Sequence, residues 1–251
     1  MRRVIDLHGH WGLESGFTFF RHKLDEVLGE MDRNGVERMV LSSHRALSFP
    51  SGNIEATLPA LEASDGRLLG YWVIHPDSTD GLRESVAEFE LHRDHFIGFK
   101  THGGMHSCPI DDARYRYALE YADANRLPVL MHTWADNSIC GFEQARRVAE
   151  RYPDMVFLMG HSGFSDYRTF AAIARDNENA YLELCAVYVL NGAIEAMVEI
   201  AGSSKIVFGT DLPWFDPAYG IGCVLHSRIS DSEKDDILFG NAGRILASVG
   251  R

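Results

Sequence analysis

His8 and His10 stand two residues apart at the end of a short apolar run. Strand side chains alternate between faces, so two imidazoles at this spacing project the same way and can grip one cation. The pair also reads as two polar residues closing a strand. Asp6 shares their face in that alternation, placed to orient a ligand histidine. His132 closes the apolar run from Leu127, His161 the run from Val156, and Asp211 the run from Ile206. Each histidine is either a satisfied core residue or a ligand. Asp211 is either a ligand or the N-cap of a following helix. Read together, the set is four imidazoles and one carboxylate, all at strand ends. That suits Zn²⁺ or a similar divalent ion, which takes imidazole nitrogen and carboxylate oxygen and keeps a position for water.

Such residues meet only if the strands that carry them run parallel and end together. Eight short runs rich in β-branched residues recur: Arg3–Leu7, Arg38–Leu41, Leu68–Ile74, Ile97–Thr101, Val129–His132, Met155–Met159, Tyr181–Leu184 and Ile206–Gly209. Helix-period segments lie between them. In Asp111–Asn125, Tyr115, Ala118, Leu119 and Ala122 form one stripe, and in Gly141–Tyr152 the stripe is Phe142, Ala145, Val148, Ala149 and Tyr152, ended by Pro153. Ser230 with Glu233 reads as a capping box that opens another helix. Strands alternating with helices imply parallel βαβ units. An open doubly wound sheet loses support, because no GxGxxG follows the first strand and no GxxxxGK[ST] occurs. The 251 residues suit a closed (βα)8 TIM barrel of one domain, residues 1–251. Catalytic groups of a barrel sit at the C-terminal strand ends, and seven of the twelve histidines fall there, among them His44 and His75.

Hydrophobic residues at 45% and charged ones at 24% are ordinary globular values and exclude a disordered or fibrous chain. No run reaches the roughly 20 apolar residues of a membrane helix. The first residues have no long apolar region and read as no signal peptide. The four cysteines form no CxxC pair and are expected as reduced thiols of a cytoplasmic protein. The net charge of −12 repels phosphate backbones and anionic membranes, which leaves a small molecule as the expected partner.

The motifs IDLHGH, GFKTH, LPVLMH, FLMGHSG and IVFGTDLPW occur in that order, and DDILFGNAGRIL closes the chain. Together they resemble the amidohydrolase superfamily, specifically its amidohydrolase-2 branch, from residue 5 to about residue 246. The resemblance implies a (βα)8 barrel with a divalent metal at its C-terminal mouth. It implies metal ligation by His8, His10, His132, His161 and Asp211, with Zn²⁺ expected first, Mn²⁺ as another candidate, and one ion rather than two. A homodimer is one assembly the resemblance allows. Lys100 is read as a barrel-mouth cation for a substrate carboxylate in preference to a carboxylated lysine bridging two metals. His102 shares its face and either points at substrate or caps the loop. Trp134 and Trp214, with Trp11 and Phe17 to Phe20, are expected to pack on substrate or to line the rim. Cys185 at the seventh strand has no base in the sequence to make it a nucleophile.

The chemistry implied is metal-dependent hydrolysis of an amide, ester or lactone through a metal-activated water, with Asp211 as general base. His161 would complete the metal site or donate to the oxyanion. The same branch contains non-oxidative decarboxylases of aromatic or unsaturated acids, which resemble the chain equally at the five ligand positions. A related deoxyribonuclease-type barrel is disfavoured by the acidic charge and the lack of a basic stripe. A metal-containing binding module without turnover is the remaining class.

Overall fold

A computed structural model describes residues 2–13, 17–19, 21–76, 79–135 and 137–251 of the chain. Eight strands form one sheet in sequence order: β1 (Val4–Trp11), β2 (Val36–Ser43), β3 (Leu68–Val73), β4 (Phe96–Thr101), β5 (Pro128–His132), β6 (Val156–Gly160), β7 (Ala180–Glu183) and β8 (Ile206–Val207). Each pairs with the next in parallel. The ends of the sheet meet through backbone hydrogen bonds from Leu7 N to Phe208 O (2.9 Å), Asp211 N to His8 O (2.6 Å) and His10 N to Leu212 O (2.6 Å). The fold is therefore the expected α/β barrel.

β1 departs from the expected strand in a way that matters. It continues to Trp11, so His8 and His10 lie inside it. Asp6 pairs with Met39 and Gly9 with Leu41, so three steps on β1 match two on β2. One extra residue sits on β1 there, and a bulge of this kind shifts which residues face inward. Leu7 packs in the barrel lumen with Ile5, while His8 lines the mouth above it. The expectation that Asp6 shares the histidine face and orients an imidazole is corrected by this bulge. The Asp6 carboxylate instead accepts from the backbone of His8 (2.9 Å) and from Thr210 N (3.1 Å) and Oγ1 (2.5 Å), stitching the end of the sheet to its start.

Two apolar layers support the mouth. Helices and strand outer faces share the larger one. The smaller fills the lumen with Ile5, Leu7, Val40, Leu69, Ile97, Leu130 and Leu158, and helix Asn241–Ser248 plugs its lower end with Ala242, Ile245 and Leu246. Asn241 Nδ2 anchors that helix to Ser203 O (2.7 Å) and Ile206 O (2.6 Å). The Ser230–Glu233 capping box is present and starts the segment that leads there. The expected helix from Asp111 begins as a 3₁₀ turn, Ala113–Tyr115, before the α-helix Arg116–Ala124, because Asp112 turns its carboxylate onto Arg114 N. Helix Phe142–Arg151 buries Ala145, Val148 and Ala149 as its stripe requires. Among the described residues no helix is long and apolar enough to cross a membrane.

Candidate metal centre

A cavity of about 440 Å³ opens at the C-terminal mouth of the barrel. His8, His10, Lys100, His132, His161 and Asp211 all line it, as do His44, His102, Trp134 and Trp214. A wider surface groove of about 930 Å³ lies beside helix Thr79–Leu91, but its lining brings Glu55, Glu84 and Glu88 to a single histidine, His75. The convergent chemistry is in the smaller cavity.

His8 is fully buried. Its Nδ1 lies 2.7 Å from Glu183 Oε2, which assigns the Nδ1 proton to that bond and leaves a lone pair on Nε2. Burial and the nearby Lys100 charge hold the imidazole well below its ordinary pKa, so it is neutral. His10 is placed in the same way. Its Nδ1 faces Ser42 O at 3.3 Å, which leaves Nε2 as the acceptor. Both Nε2 atoms turn towards one carboxylate oxygen: Asp211 Oδ1 lies 2.9 Å from His10 Nε2 and 3.3 Å from His8 Nε2.

His161 ends β6 with its ring 5.0 Å from that of His8. Its Nδ1 is buried and has no hydrogen-bond partner. Burial brings its pKa down to about 4. His132 ends β5, its ring 4.6 Å from His161 and stacked 4.1 Å from His102. Its nitrogens do not join the close group of His8, His10 and Asp211, whose donor atoms lie within 4.8 Å of one another. The structure thus gathers three of the five expected ligands tightly and sets His161 and His132 beside them.

The donor set fits a divalent cation. Two imidazole lone pairs directed at one carboxylate oxygen repel it unless a positive charge lies between them, and an orphaned buried imidazole nitrogen costs about 1–3 kcal/mol. Lys100 supplies part of that charge here. Its Nζ, fully buried on β4, donates to His8 Nε2 at 2.9 Å, and burial lowers its pKa to about 8.

Glu183 has a role that the spacing did not predict. Its Oε2 accepts from His8 Nδ1 and from His161 N (3.0 Å), and its Oε1 accepts from Cys185 N (2.6 Å). Burial pushes its pKa up to about 7 while the surrounding N–H donors pull it down. One carboxylate therefore fixes the tautomer of His8 and the backbone of His161. The signal was a buried acid at a strand end, but only the closed barrel shows which ring it reaches. Gly209 makes the approach possible, since a Cβ there would lie 2.3 Å from Glu183 Oε1 and 2.6 Å from His8 Cβ. Cys185 is also buried, which pushes its thiol well above the ordinary range and removes it as a nucleophile.

The walls are aromatic. Trp134 stacks on Phe164 (4.5 Å) and lies parallel to His132 (5.9 Å). Trp214 donates its indole N–H to His44 Nε2 at 2.9 Å, while His44 Nδ1 faces Gly12 O at 2.8 Å. His44 is thereby satisfied as a neutral ring, with its pKa lowered to about 4 by burial, and it stacks 4.9 Å from His10. His102 both lines the cavity and caps the turn Gly103–His106, accepting from Met105 N at 3.2 Å. Trp11 and Phe19 pack in or against the surrounding core, and Phe20 lies outside the described residues.

Backbone strain concentrates in the same place. Eight described non-glycine residues have positive φ, and five of them (His161, Ser162, Phe164, Ala186 and Asp211) follow β6, β7 or β8 at the mouth. Such conformations cost of order 1–3 kcal/mol each and persist where the surroundings impose them.

Comparison with known proteins places this geometry in context. The family described as Amidohydrolase matches residues 5–247. No curated protein sequence matches the chain. Among solved structures, a 2,6-dihydroxybenzoate decarboxylase in complex with 2,6-dihydroxybenzoate superposes with a TM-score of 0.80 at 14% identity, covering 98% of this chain and 100% of that one. A dihydroxybenzoic acid decarboxylase from a Polaromonas species, with bound manganese and the inhibitor 2-nitroresorcinol, gives 0.77 at 18% identity over 98% and 97%. The 5-carboxyvanillate decarboxylase of Sphingomonas paucimobilis gives 0.73 at 17% identity over 98% and 99%. At these identities the likeness is one of fold.

Proposed function

The chain belongs to the amidohydrolase family, and we propose that it is a metal-dependent hydrolase of an amide, ester or lactone bond in a small molecule. The observation that carries the proposal is the convergence of His8 Nε2 and His10 Nε2 on Asp211 Oδ1, with both Nδ1 atoms already engaged. His8, His10, His161 and Asp211 would hold the ion, with His132 beside them. A divalent ion there supplies Lewis acidity and lowers the pKa of a water molecule it holds from about 15.7 towards 7.

Asp211 is the proton carrier in this reading. Its ionised carboxylate takes a proton from the attacking water and returns it to the leaving nitrogen or oxygen. Lys100 Nζ, the buried cation on β4, holds a substrate oxygen as negative charge develops. His102, which lines the same cavity, would orient the substrate beside it. Trp134 and Trp214 flank the cavity, exclude water and present flat faces to the rest of the molecule.

A second reading is non-oxidative decarboxylation of an aromatic or unsaturated acid. It is favoured by the aromatic walls around a buried lysine and by the fold likeness to decarboxylases. There Asp211 would have to carry a proton to the carbon that loses CO₂. The test is a panel of small lactones, esters, amides and aryl acids offered to metal-loaded protein. Proton release from the acyl substrates is expected; CO₂ release from aryl acids with no acyl turnover would overturn hydrolysis.

A further inference from the structure

The mouth holds a donor that neither reading above uses. Cys185 follows β7 and is fully buried. Its sulfur and one ring nitrogen each of His8 and His161 lie within 4.8 Å of one another. His161 is itself buried, and its Nδ1 has no hydrogen-bond partner. The backbone that carries the thiol is fixed on both sides of Cys185. Cys185 N–H is tied to Glu183 Oε1 at 2.6 Å, and Ala186, next in the chain, has φ +64°. Cys108, Cys140 and Cys223 have no comparable pair of imidazoles among the described residues.

We propose that Cys185 is a metal ligand, forming with His8 and His161 a second, sulfur-containing cation position that selects thiophilic divalent ions. The proposal rests on the metal reading above and extends it to the choice of ion. With Nδ1 of His8 committed to Glu183, Nε2 is the nitrogen left to ligate once an ion displaces the Lys100 Nζ contact, and one lone pair serves one ion at a time. The two donor sets therefore overlap. His8, His10 and Asp211 offer nitrogen and carboxylate oxygen, which suit a harder ion such as Mn²⁺. His8, His161 and Cys185 offer nitrogen and sulfur, which suit Cd²⁺, Co²⁺ or Zn²⁺. On binding, an Sγ–metal bond forms, the S–H bond breaks and its proton passes to solvent, with no change in oxidation state.

The experiment is Co²⁺ titration of the metal-free full chain, followed by absorption spectroscopy. Visible ligand-field bands report any bound Co²⁺, whereas a near-ultraviolet charge-transfer band requires a thiolate ligand. We expect both in the wild-type protein. Cys185→Ser and Cys185→Ala should lose the near-ultraviolet band and keep the visible ones. Their affinity for Cd²⁺ should fall at least about tenfold, the scale on which metal sites respond to a lost partner, with Mn²⁺ affinity unchanged. Visible bands with no charge-transfer band in the wild type would overturn the proposal, and so would a charge-transfer band that survives both substitutions. No Co²⁺ bands at all would overturn the metal reading and this inference with it. Should neither variant fold, X-ray absorption of the wild type with one equivalent of Zn²⁺ decides: a sulfur scatterer at about 2.3 Å is expected, and nitrogen and oxygen scatterers alone would overturn it.

Discussion

The lumen of the barrel and its mouth are built from the same strands, only a few residues apart. On β5, Leu130 fills the lumen and His132 lines the mouth. On β1, one step over the bulge separates Leu7 from His8. The lumen is apolar and satisfied; its polar handle, the Tyr71 hydroxyl, donates to Leu7 O at 3.1 Å. The mouth is equally closed at His8 and Lys100, yet it holds imidazole lone pairs facing a carboxylate, an orphaned imidazole nitrogen and a run of strained backbone. Burial in the lumen stabilises the fold, whereas burial in the mouth costs stability and prepares a site for a cation.

Substitutions at the two levels should therefore read out differently. The largest effect is expected at Asp211. Asp211→Asn keeps the shape of the side chain but removes the base, so kcat should fall by about 10²–10⁴, with metal still bound on elemental analysis. Retained turnover would remove Asp211 from the proton-carrying role. Next comes the lumen. Leu158→Ala should cost about 2–5 kcal/mol of stability in denaturant titration and leave metal affinity unchanged. A change in metal affinity there would show that the two levels are not separable. Third is the link between them and the site: Glu183→Gln frees the tautomer of His8 and should weaken metal binding by about 10–100-fold in a chelator competition. Unaltered affinity would mean that His8 needs no orienting carboxylate. Smallest is the rim, where Trp134 is 37% exposed. Trp134→Ala should raise KM by about fivefold, with kcat little changed, in steady-state kinetics.

The sequence carried the lumen and much of the mouth for different reasons. Eight apolar runs with helices between them define a barrel whichever register the strands adopt, and all eight strands appear within a few residues of their expected bounds. The mouth residues were legible as types at strand ends, because histidine and aspartate closing an apolar run stand out from their neighbours. Alternation alone misplaced Asp6, since the bulge between Asp6 and Gly9 is set by pairing with β2 and leaves no mark in β1 itself. The role of Glu183 was hidden because its partner lies 175 residues away across the closure of the barrel. The state of His44 depended on an indole 170 residues on, so its residue type could not separate a satisfied ring from a ligand.

The central claim is that the mouth is a divalent metal site. Elemental analysis of the purified protein, repeated after chelation and after adding back Zn²⁺ or Mn²⁺, tests it most directly. About one ion per chain is expected, lost on chelation together with activity, regained on addition, and absent from a His8→Ala/His10→Ala double variant that still folds. Protein that carries no metal as purified, binds none on addition, and gains neither activity nor thermal stability from it would contradict the account.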